Sequence, residues 1–183
     1  MTPRENDRQL GRRYTHARRR LLRLPKRPLC VEVDFCPLPD IAADECVYWL
    51  GMVVDQDNGL IRMATVGDQP PRVDDAADLL CHAIAFPHPR GPCRPEVVFF
   101  RDNPTWEPLF PFLERLEIKT VITEDLLHWD ARAEELTEWT RRRWSPMPEF
   151  RTEIHEQLGV FNNLSELRGL AYGFLCFGPR KHE

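Results

Sequence analysis

Apolar residues along the chain recur at two spacings, and the changes of spacing divide it into elements. Leu10, Tyr14, Ala17, Leu21 and Leu24 return every three or four residues between arginines, which predicts a basic amphipathic helix ended by Pro25 and Pro28. Residues 29–35, LCVEVDF, read as a first strand whose two-residue period sets Glu32 and Asp34 on one face. After a loop rich in Pro and Asp, residues 46–54 and 60–66 read as two more strands. Asn58-Gly59, between them, favours positive φ and predicts that the two pair as a hairpin.

Ala76, Ala77, Leu79, Leu80, Ala83 and Ile84 then fall at helical spacing behind Asp74, a candidate cap. Four prolines in residues 87–95 carry the chain to PEVVFFR, short and almost wholly apolar, as suits a strand inside a sheet covered on both faces. Trp106, Leu109, Phe110, Leu113 and Leu116 are helical in spacing, residues 118–122 form a last strand, and Thr123 caps a charged helix from 124 to about 144. Residues 149–158 and 164–177 read as short helices.

The order strand, strand, strand, helix, strand, helix, strand, helix predicts one α/β (α+β) domain over residues 29–144, with a mixed sheet of about five strands and helices on its faces. A basic arm, 1–28, precedes it, and a helical C-terminal extension, 145–183, is expected to pack on it. With 183 residues and 42% hydrophobic content there is material for a single core. No apolar run approaches the roughly 18 residues needed to cross a bilayer, and MTPREND carries no signal core, so a cytoplasmic protein is expected. There is no P-loop, dinucleotide fingerprint or nucleophile elbow, which removes those enzyme classes.

Charge is unevenly spread. Residues 1–28 hold ten Lys and Arg against Glu5 and Asp7, while the remaining 155 residues hold 15 basic and 27 acidic groups. Arg12, Arg13, Arg18, Arg19, Arg20, Arg23, Lys26 and Arg27 are therefore candidate polyanion-binding residues, for nucleic acid or for an acidic protein surface. The same charge can equally lie against the chain's own acidic body. None of the six cysteines stands in a C-x-x-C pair, and reduced core thiols are expected. Cys81, His82, His88 and Cys93 offer two sulfurs and two imidazoles, at a spacing that fits no standard zinc pattern. Trp106, Trp129, Trp139 and Trp144 are candidates either for stacking on bases or for plain packing.

The acids at strand ends carry the catalytic hypothesis. Asp34 lies in the first strand, Asp102 follows VVFF, and Glu124 with Asp125 follows VIT. With strands one, four and five as neighbours these acids converge on one edge, where Mg²⁺ or Mn²⁺ would relieve their repulsion. Two such ions about 4 Å apart would activate water and stabilise a leaving oxygen. Each acid also has a plain structural reading: Asp34 facing solvent from an edge strand, Asp102 capping a turn, Glu124 and Asp125 opening a helix.

VEVDF at 31–35, VVDQDNGLI at 53–61 and VVFFRDN at 97–103, with the order of elements, resemble the ribonuclease H-like fold of integrases and transposases over about residues 29–140. The resemblance implies Asp34 and Asp102 as catalytic and metal-binding acids, with Glu124 or Glu134 as the third. Pro104 departs from the pattern, standing where an integrase usually has Gly. The hairpin, GPCRPEVVFFRD and the LEI turn also resemble an uncharacterised group of bacterial domains of unknown function. The expectation is a non-catalytic nucleic-acid- or protein-binding module needing no cofactor; the alternative is a divalent-metal-dependent nuclease or integrase-like phosphoryl-transfer enzyme.

Overall fold

The computed structural model describes residues 15–38, 47–87 and 91–144. The predicted extension at 145–183, together with Arg12, Arg13, Cys46, His88 and Cys176, lies outside them. In chain order the elements are α1 (Thr15–Leu21), β1 (Cys30–Leu38), β2 (Tyr48–Asp55), β3 (Ile61–Gly67), α2 (Val73–Ala85) and β4 (Val97–Arg101). A 3₁₀ turn (Pro104–Leu109), α3 (Phe110–Glu114), β5 (Lys119–Thr123) and α4 (Leu127–Trp144) follow. The strands form one mixed sheet in the order β3-β2-β1-β4-β5. β1 runs antiparallel to β2 and parallel to β4; β2 and β3 are antiparallel, and β4 and β5 parallel.

The expected hairpin is β2 and β3. Gly59 takes φ +66°, and Asn58 Oδ1 accepts the Leu60 N–H at 3.0 Å. β1 is central, so the pleat sends alternate side chains to two covered faces. On one, Val31, Val33, Val53, Val98 and Phe100 pack against α2 and α3. On the other, Leu50, Met52 and Val54 pack against Leu126, Trp129 and Ala133 at and in α4. β4 is interior, between β1 and β5, as its apolar run predicts.

Several local details differ from expectation for identifiable reasons. Arg72, not Asp74, is the residue before α2, and its N–H donates to Asp75 Oδ2 at 2.8 Å. The segment predicted as a helix from Trp106 to Leu116 winds first as a 3₁₀ turn, because Pro108 and Pro111 remove backbone donors. α4 begins at Leu127 rather than Glu124; the Asp125 N–H instead donates to Thr123 Oγ1 at 3.3 Å. No helix among the described residues is long and apolar enough to cross a membrane.

The basic segment is joined to this fold through its apolar stripe. Leu21 is 2% exposed in the α2-side core, with Ala17, Leu22 and Leu24 packed against it. The chain between α1 and β1 is clamped by Arg94, whose N–H donates to Pro25 O and whose carbonyl accepts the Arg27 N–H. Arg94 Nε also donates to Leu24 O at 3.2 Å.

Candidate functional site

β1, β4 and β5 are parallel, and β4 and β5 end level with the middle of β1, which runs on to Leu38, so the candidate acids come from one part of the sheet. The pairing of Val33 with Phe100 sets the next residues, Asp34 and Arg101, at one level, and the Asp34 and Arg101 side chains meet. Asp102, one residue on, has the opposite parity in the pleat and is exposed.

Asp34 is 7% exposed and receives Arg101 Nε on its Oδ2 at 2.7 Å. The same guanidinium donates from Nη2 to Asp130 Oδ1 at 2.5 Å and from Nη1 to the Glu124 backbone carbonyl at 2.7 Å. Arg101 thus ties β1, the β5–α4 turn and α4 together. Burial pushes the Asp34 carboxyl above the ordinary range, and the Arg101 hydrogen bond pulls it back only in part. Burial works against the Arg101 charge, but its two carboxylate partners outweigh this and raise its pKa.

Glu32, one pleat along the same face of β1, is 2% exposed. Its Oε2 accepts the Trp129 N–H in the first turn of α4 at 2.6 Å, satisfying a donor that a helix N-terminus leaves open. Trp129 is further held by its indole N–H on Met52 O at 3.1 Å.

The remaining candidates are dispersed. The Glu124 and Glu134 side chains are exposed, and Glu124 joins the Arg101 cluster only through its carbonyl. Of the sulfur and imidazole set, Cys81 packs against the core, the exposed His82 donates from Nδ1 to Asp78 O, and Cys93 is buried against Arg62. Burial pushes the Cys81 thiol up to about 12 and, with help from Asp34 and Asp130, Cys36 up to about 11. Trp106 and Trp129 are each 2% exposed, so neither ring is open to a base; the Trp139 and Trp144 side chains lie outside the described ones. Arg18, Arg19, Arg20, Arg23, Lys26 and Arg27 are all exposed. Asp130 escaped notice in the sequence because nothing local distinguishes it from the other acids of α4; Arg101 was legible there as a candidate to hold a phosphate backbone, not as the partner of Asp34.

A family model described as a domain of unknown function, DUF6930, matches residues 17–137. The chain belongs to the DUF6930 family. No curated protein matches this DUF6930 chain in sequence. Among solved structures it is similar to the HTLV-2 integrase catalytic core domain in complex with magnesium, trimeric form, at 12% identity and TM-score 0.54, covering 83% of this chain and 86% of that one. A chain of the simian T-cell lymphotropic virus intasome in complex with PP2A regulatory subunit B56 gamma is 19% identical, with TM-score 0.49, 69% of this chain covered and 45% of that one. The DUF6930 chain therefore spans less than half the length of that intasome-complex chain. At these identities the likeness is one of fold, the ribonuclease H-like integrase core, as its sequence motifs suggested.

A divalent ion does not fit the residues at this edge as they stand. Asp34 faces a guanidinium, and among the described residues no group of three or more His, Cys, Asp and Glu is gathered to hold a metal ion. Mg²⁺ is held through one or two free carboxylates with waters completing its shell; here the cation that faces the Asp34 carboxylate is Arg101.

Proposed function

We propose that this DUF6930 chain is a non-catalytic nucleic-acid-binding module that uses the ribonuclease H-like sheet as a platform for its basic segment. The observation that carries the reading is the way that segment is seated: Leu21 is 2% exposed in the core while Arg18, Arg19, Arg20, Arg23, Lys26 and Arg27 stay exposed around it. Charges presented from a docked helix and the strap after it lose less freedom on meeting phosphates than charges on a loose tail. The reading also accommodates Arg101, whose guanidinium is paired with the buried Asp34.

Deleting residues 1–28 would also remove Leu21 and Leu24, so charge removal is the cleaner test. Arg18, Arg19, Arg20 and Arg23 replaced together by Gln keep the apolar stripe and remove four charges. The expected result is weaker binding to nucleic acid, with the salt dependence of log K reduced by about 0.7–0.9 for each phosphate no longer neutralised. Unchanged affinity and slope reject the reading. Mn²⁺-dependent cleavage by the natural chain that disappears in Asp34→Asn would establish the metal-dependent alternative instead.

A further inference from the structure

One large aromatic side chain stands in the open beside the basic helix. Phe86 closes α2: its N–H donates to His82 O at 2.7 Å and its φ of −138° takes it out of the helix. Being off the apolar stripe that runs from Ala76 to Ile84, the residue is left 51% exposed. The Arg20 guanidinium, carried on α1, sits over that ring at 5.0 Å from its centroid. The exposed His82 ring lies 6.4 Å away, tilted by 33°. Arg20 is held there by its neighbour Leu21, which is buried in the core. The seam between α1 and α2 therefore offers an exposed aromatic ring with Arg20 over it, on the helix that also carries the exposed Arg18 and Arg19.

We propose that Phe86 is a base-stacking residue and that the nucleic acid bound by this face is single-stranded. This rests on the nucleic-acid reading above and narrows it. A duplex presents phosphates to the arginines but keeps the faces of its bases inside its own stack, where Phe86 cannot reach them. An unpaired strand presents both groups, phosphates for Arg18, Arg19, Arg20 and Arg23 and a free base face for the ring, and stacking of this kind is tolerant of sequence. Arg20 adds to it, since the guanidinium over the ring is itself a planar cation on which a base can stack. Trp106 and Trp129, more obvious stacking residues in the sequence, do not compete: both are 2% exposed.

The test compares the full chain, Phe86→Ala and Phe86→Trp on an oligothymidylate, an oligouridylate and a duplex of equal length at one salt concentration. Phe86→Ala is expected to weaken single-strand binding about tenfold and leave duplex binding within about twofold, with Phe86→Trp restoring the single-strand affinity. Thermal melting confirms that each variant is folded, as a half-exposed side chain allows. Equal losses on single strand and duplex, or no loss on either, overturn the inference while leaving the nucleic-acid reading standing. Failure of the natural chain to bind any of the three overturns that reading and this inference with it.

Discussion

On the α2 side of β1, Val31 and Val33 meet apolar neighbours at 2% and 1% exposure, whereas on the α4 side Glu32 and Asp34 are buried almost as deeply, at 2% and 7%. The first face is held by area removed from water and tolerates no vacancy. The second carries carboxyl groups that must each find a donor, because an unpaired polar group away from water costs several kcal/mol. Glu32 finds the open N–H of Trp129, and Asp34 finds Arg101. One strand thus joins a nonspecific packing surface to a pair of directed contacts, and the directed contacts add to the apolar packing of Leu126, Trp129 and Ala133 in placing α4 and the β5–α4 turn.

The contrast is broken most strongly on the apolar side. Phe100→Ala, which empties a side chain 1% exposed between α2 and α3, should lower unfolding free energy by about 3–5 kcal/mol in urea titrations. On the polar side Glu32→Ala should cost about 1–3 kcal/mol, since it strands the Trp129 N–H. Glu32→Gln, which keeps an acceptor oxygen, should recover part of that. Amide exchange at Trp129 separates the two mechanisms: it should speed up in Glu32→Ala more than global stability accounts for, and an unchanged rate would mean that Glu32 does not hold α4.

The smallest effect concerns pH. Burial raises the Asp34 pKa above its unfolded value, so the folded state favours the protonated carboxyl. Its contribution is present below the unfolded pKa, about 3.9, and is lost as pH rises through the folded value. Asp34→Asn lacks that loss. Its stability relative to the natural chain should therefore rise as pH increases from below the unfolded pKa through the folded value. A relative fall over the same range would show that the Arg101 pair outweighs burial.

The framework of the fold was legible because its signals are local. Period-two stretches and Asn58-Gly59 marked the hairpin, and VVFF marked an interior strand. The edge acids were legible as candidates for the same reason. Their partners were not, since Asp34 meets Arg101 only through the pairing of Val33 with Phe100, a contact across 67 positions of sequence. Nor was the central place of β1: the alternation of Glu32 and Asp34 resembles that of a strand with one wet face, and only the arrival of α4 covers them. Phe86 was passed over because it follows directly on an apolar helical stripe, and the end of α2 at Ala85 is what turns it outward.

The adjacency of Arg101 and Asp102 also protects the alignment of β4 against β1. A slide of one position would turn every β4 side chain to the opposite face. With Asp102 brought to the level now held by Arg101, Asp34 and Asp130 would face a third carboxylate in place of a guanidinium, and Phe100 would leave the α2-side core. Attraction in the native alignment becomes repulsion in the nearest wrong one, so this pair of residues penalises misfolding by the same contact that ties three elements together. A divalent ion could not do this, because a free ion can follow the acids into either alignment, whereas Arg101 is carried by the strand whose position it reports.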